Sequence, residues 1–117
     1  MSRFIQIDIR LLPMYGSGGM QKSFPHLSKA LKDFGYTKVL EEEPTLYRLA
    51  EVLLRIGNDP AVSQKAKAPI IGMADRFRQV HAQAQEHLLG RRLNELDQTL
   101  YRLEDLFQEL EQELGWA

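Results

Sequence analysis

The chain has 117 residues, a formal net charge of −1, 44% hydrophobic and 26% charged residues, and no cysteine. These values predict one globular domain over residues 1–117 with a core of its own, and they exclude a disordered or collagen-like chain. Without cysteine there is neither a disulfide framework nor a thiolate metal site, which fits a reducing, cytoplasmic setting, and no apolar run reaches the length of a membrane span.

The near-neutral total conceals a segregation by block: residues 1–40 carry +4, residues 41–59 carry −3, residues 60–92 carry +4 and residues 93–117 carry −6. Opposite signs on the last two blocks favour their lying side by side, each surface pair adding a few tenths of a kcal/mol.

In chain order, residues 4–11 alternate apolar Ile5, Ile7, Ile9 and Leu11 with Gln6, Asp8 and Arg10, a period of two that predicts a half-buried strand. Its edge needs a partner, either residues 36–40 or a second subunit. Residues 12–22, with Pro13 and Gly16-Ser17-Gly18-Gly19, read as a glycine-rich loop. Residues 24–56 hold two helices. Ser23 is the expected cap of the first, over 24–34, with the stripe Phe24, Leu27, Leu31 and Phe34 and with Gly35 as its left-handed stop. Tyr36 to Leu40 is β-prone. Glu41-Glu42-Glu43-Pro44 then opens the second helix, striped by Leu46, Leu49, Leu53 and Ile56 and ended at Gly57.

Residues 60–114 read as a helical hairpin region. Asp59-Pro60 is a helix start, and Pro69 restarts or kinks a helix striped by Ile70, Met73, Phe77, Val80, Ala84 and Leu88 as far as Gly90. Beyond it, Leu93, Leu96, Leu100, Leu103, Phe107, Leu110 and Leu114 recur at alternating spacings of three and four, the seam of a helix made to lie against another. The two stripes differ in phase by two residues at Gly90, about 200° around a helix axis, which favours a tight antiparallel turn over one bent helix. The fold expected is mainly α: a small helical bundle with a C-terminal antiparallel hairpin and a short N-terminal strand, possible partner of a two-stranded patch.

Two short segments resemble known sites. Gly16 to Ser23 resembles the phosphate-binding P-loop of nucleotide hydrolases in its length and its Lys22-Ser23 ending, and differs at Gln21, where that loop has the glycine that lets backbone N–H groups wrap phosphate. Arg76, four residues and His81 are similar to the Arg…His motif of the helical ribonuclease family called HEPN, whose pair acts on a 2′-hydroxyl and phosphate at a dimer interface. On five residues of helix, though, the two side chains diverge by about 140°.

No acid is followed three residues on by histidine, so the di-metal pattern of helical bundles is missing, and neither metal nor cofactor is expected. The three histidines, His26, His81 and His87, stand in no triad-like context. The function expected is therefore non-enzymatic: protein–protein interaction or complex assembly, as a homo-oligomer or a component of a larger complex. Ile5, Ile7 and Ile9 are its candidates for edge pairing, Leu96, Leu100, Leu103, Phe107 and Leu110 for helix contact, and Trp116 for an exposed anchor. Whether the 93–114 seam is internal core or intermolecular interface stays open, with Ile70–Leu88 available as an internal mate. The alternative is an RNA- or DNA-associated factor using Lys65, Lys67, Arg76, Arg78, Arg91 and Arg92.

Overall fold

The computed structural model describes residues 11, 12, 15 and 17–116, which form six helices: α1 (Gly19–Ser23), α2 (Pro25–Asp33), α3 (Thr37–Glu42), α4 (Leu46–Gly57), α5 (Ala68–Leu89) and α6 (Leu93–Trp116). The strand expected over 4–11, with Ile5, Ile7 and Ile9, lies outside the described residues except for Leu11, which has no regular structure.

The start of the chain is more helical than its glycines suggest. Gly18 and Gly19 take left-handed φ values of 91° and 70°, and from there the backbone turns into α1 instead of remaining a loop to residue 22. Ser23 closes α1 and so does not cap the next helix; Phe24 occupies the N-cap of α2, with Pro25 in its first turn. At the other end of α2, Gly35 adopts φ 87°, and the N–H groups of Gly35 and Tyr36 bond back to Lys32 and Leu31 at 3.1 and 2.8 Å, a Schellman turn.

Residues 36–40 are a correction. The β-prone stretch forms α3 and offers no strand, because Tyr36 is committed to the Leu31 carbonyl and its hydroxyl bonds Asp59 at 2.7 Å. Val39 and Leu40 then pack onto the core. Glu43 ends α3 with φ 45°, so the acidic run does not open the next helix. That helix, α4, begins where the Thr45 hydroxyl accepts the Arg48 N–H at 3.1 Å.

Asp59-Pro60 likewise does not start a helix. The Asp59 carboxylate accepts the Ala61 N–H at 2.9 Å, the buried Val62 plugs the core, and the Lys67 ammonium donates to the Asp59 carbonyl at 2.8 Å, closing a coil of turns over 59–67. Only then does α5 begin, with Pro69 in its first turn where a missing N–H costs little.

Between α5 and α6 the chain makes a second Schellman turn, its N–H groups at Arg91 and Arg92 bonding to Leu88 and His87 at 3.2 and 2.9 Å. The left-handed residue is Arg91, φ 55°, while Gly90 keeps a right-handed φ of −82°. The two long helices run antiparallel from there: Arg76 meets Glu109, and the rings of Phe77 and Phe107 lie 4.9 Å apart. α4 packs on both, and α2 packs on α6 and α3. Met20, Leu27, Leu31, Leu49, Leu53, Ile56, Phe77, Leu103, Phe107 and Leu110 meet in one core, essentially without solvent exposure.

Candidate interaction surface

The seam on α6 divides along its length. Leu96, Leu103, Phe107 and Leu110 are buried within this chain, Leu100 and Leu114 are half-buried, and Leu93 remains 60% exposed at the helix start. Trp116 is exposed at the far end. Of the residues named for helix contact, Leu103, Phe107 and Leu110 belong to the core shared with α2, α4 and α5, and the outward-facing surface lies to one side of the seam.

That surface is a groove of about 640 Å³ between the start of α4 and the middle of α6. Phe24 and Tyr15 form part of its lining, their rings edge to face at 6.3 Å. Leu46 and Tyr47 contribute from α4, Leu100 and Tyr101 from α6, and Leu11 and Leu12 from the segment before α1. Leu12 is 72% exposed and Tyr101 62%, values that decide the matter: these apolar bodies are not core. Asp97 and Glu104, one turn either side of Leu100 and Tyr101, add two exposed carboxylates that make no ion pair among the described residues. The groove is therefore apolar within and acidic along its α6 wall.

Burial tunes the phenols around it. Tyr15 donates its hydroxyl to the Pro44 carbonyl, and burial, aided by the Glu43 charge, pushes its pKa up to about 12. Tyr47 is raised by burial and then by Glu51. Both phenols are neutral at physiological pH, and Tyr15 serves to tie the segment before α1 to the residue before Thr45.

The basic residues of the 60–92 block are dispersed. Lys67 is buried, 2% exposed, with its ammonium on a carbonyl, so it belongs to no external face. Arg76 grips Glu109 through two bonds of 2.8 and 3.1 Å, Arg78 pairs with Asp75 at 2.6 Å, and Arg92 contacts Glu86 and the His87 ring. Lys65 and Arg91 are exposed and make no ion pair among the described residues.

The geometry also separates Arg76 from His81. His81 stacks on Tyr47, ring centroids 4.3 Å apart, and its Nε2 lies 3.2 Å from Glu51 on α4, whereas Arg76 is turned to α6. The segment that resembles a P-loop is engaged as well. The backbone N–H of Met20 donates to the Glu43 carboxylate at 3.2 Å, so a phosphate there would face an acid. Among the described residues no group of His, Asp and Glu could hold a metal ion, and no helix is long and apolar enough to cross a membrane.

Two acids of α6 reach other helices. Glu109 holds Arg76, and Glu111, with its side chain 14% exposed, accepts the N–H groups of His26 and Leu27 at the start of α2. The groove itself has one faint sequence signal, Tyr101, a large ring next to Leu100 and outside the three-four count. No protein-family model matches this chain, and neither a curated protein nor a solved structure matches it.

Proposed function

We propose that the chain is a non-enzymatic assembly protein, joining a protein partner or further copies of itself, in the cytoplasm as its lack of cysteine suggests. The observation that carries this reading is the groove between α4 and α6, where Leu12 and Tyr101 stay exposed beside an open apolar lining. Contiguous exposed apolar surface rimmed by charge marks contact sites in soluble proteins, and tyrosine is enriched at their energetic centres.

The nucleic-acid reading draws less support. Of the six basic residues it would use, one is buried and three are already paired with acids or a histidine of this chain. A binder would need those cations free to displace counterions from phosphate.

The test is cross-linking of the tagged full chain in its own cells, with the linked sites mapped by mass spectrometry, beside a Tyr101→Ala variant. Cross-links that lead from residues 97–108 to another protein or to a second copy, and that fall away in Tyr101→Ala, are the expected result. A protein that stays unlinked at every concentration, or that co-purifies with nucleic acid through Arg76 and Arg78, overturns the reading.

A further inference from the structure

The turn between α5 and α6 has the opposite character to the groove. Leu89 is 77% exposed and Leu93 60%, and between them stands Arg91, exposed and without an ion-pair partner among the described residues. Two bare leucines around a cation make an apolar, basic tip. The groove is apolar with Asp97 and Glu104 on its wall. Each surface is thus what the other lacks, and the charges attract.

The backbone at the tip is also left unrelaxed. Arg91 takes the left-handed position of the Schellman turn at φ 55°, though Gly90, which could occupy it freely, sits one residue earlier. The turn therefore holds an arginine outward where a glycine would be more stable.

Resting on the assembly reading above, we infer that the occupant of the groove is a second copy of this chain, its Leu89–Leu93 tip seated against Tyr101 and Glu104. Leu93 and Glu104 stand on the same helix, eleven residues and so about 16 Å apart along its axis. A two-fold axis crossing α6 midway between them, with the two α6 helices antiparallel, brings each copy's tip level with the other's Glu104. In that register Leu93 lies opposite Glu104 and Asp97 opposite Leu100, one turn from the Asp97 of the other copy. The contact is self-complementary and closes at two copies, as isologous interfaces do.

Sedimentation equilibrium of the full-length protein tests this, with circular dichroism to show that each variant keeps its helices. Wild type is expected to be a dimer, Arg91→Glu and Glu104→Arg each to weaken it by about tenfold or more, and the double variant to regain most of the loss because the pair is reversed. A wild-type protein that is monomeric throughout overturns the inference. So do single variants with wild-type association, or a double variant no better than the singles. In each of these cases cross-links from residues 97–108 to a different protein would leave the assembly reading standing, which separates the two failures.

Discussion

The carboxylate of Glu111, near the end of α6, accepts the backbone N–H of Leu27 at 3.1 Å across 84 positions of sequence. It also receives the His26 N–H and lies 3.4 Å from the His26 ring. α2 has no side-chain cap of its own, so this acid satisfies the donors that its first turn leaves free and sits at the positive end of the helix dipole. Glu111→Ala should lower stability by about 1–2 kcal/mol in urea unfolding, while Glu113→Ala, on the exposed side of the same helix, should stay within about 0.5. Equal effects of the two would show that the contact is not a cap.

A second acid does the same for α1, and a glycine makes room for it. A Cβ on Gly19 would stand 2.2 Å from the Glu43 carboxylate, at a φ of 70°. Gly19→Ala is expected to cost at least about 1–2 kcal/mol from the left-handed backbone alone, and more as Glu43 is displaced from Met20. Gly72→Ala carries the opposite sign: it is exposed within α5, nothing lies within 4 Å of the added Cβ, and the gain should be about 0.5–1 kcal/mol. Thermal melts of the two variants, moving in opposite directions, are the check.

The seam on α6 is two things in one stripe. Leu103→Ala, at a fully buried position, should lose about 2–5 kcal/mol, whereas Leu93→Ala should change monomer stability by no more than about 0.5. The comparison belongs in dilute protein, where association makes no contribution. A large loss at Leu93 under those conditions would mean that α6 is packed differently at its start.

Tyr36 and Asp59 titrate in opposite directions through one hydrogen bond. The Tyr36 hydroxyl, then the Ala61 N–H, hold the Asp59 carboxyl below its ordinary 3.8, while burial and the bond to Asp59 raise the Tyr36 phenol. For the acid the native pKa is depressed, so its contribution is complete above pH 3.8 and fades as pH falls through the native value. For the phenol the native pKa is raised, so its contribution is complete below pH 10.0 and fades on the alkaline side. In Tyr36→Phe the Asp59 carboxyl, followed by NMR, should move up towards 3.8; an unmoved titration would assign the shift to another group.

Tyr15 offers a spectroscopic marker of the same kind. Its phenolate should appear near pH 12 and be absent from the titration of Tyr15→Phe. Because its native pKa is raised, the unfolded chain ionises first and stability falls as the pH climbs from 10.0 towards 12; Tyr15→Phe has no phenol to ionise, so its stability should lack that part of the alkaline fall. A Tyr15 that ionises near the ordinary 10.0 would place it out of contact with Pro44.

How much of this was legible in the residues depends on the range of the cause. The 3-4 spacing of Leu96, Leu103, Phe107 and Leu110 and the phase slip at Gly90 are local patterns, and they point to two long helices meeting at a turn. Even there the pattern does not say which residue turns left-handed, because φ at Gly90 and Arg91 is set by which carbonyls the turn closes on. Residues 36–40 read as strand from Tyr36 and Val39, and tertiary bonds to Leu31 and Asp59 decide otherwise. Ser23 has the chemistry of a cap, but the cap is Glu111, and no window of sequence contains both ends of that bond. The groove is equally non-local, assembled from Leu12, Leu46 and Tyr101.

The remote cap on α2 also sets an order of events. A nine-residue helix is too short to persist alone in water, and the carboxylate that completes this one lies 84 positions beyond Leu27. During synthesis α2 leaves the ribosome first and waits for α6. α2 is thus completed only after α6 has been made, and a chain that stops short of Glu111 leaves the start of that helix uncapped.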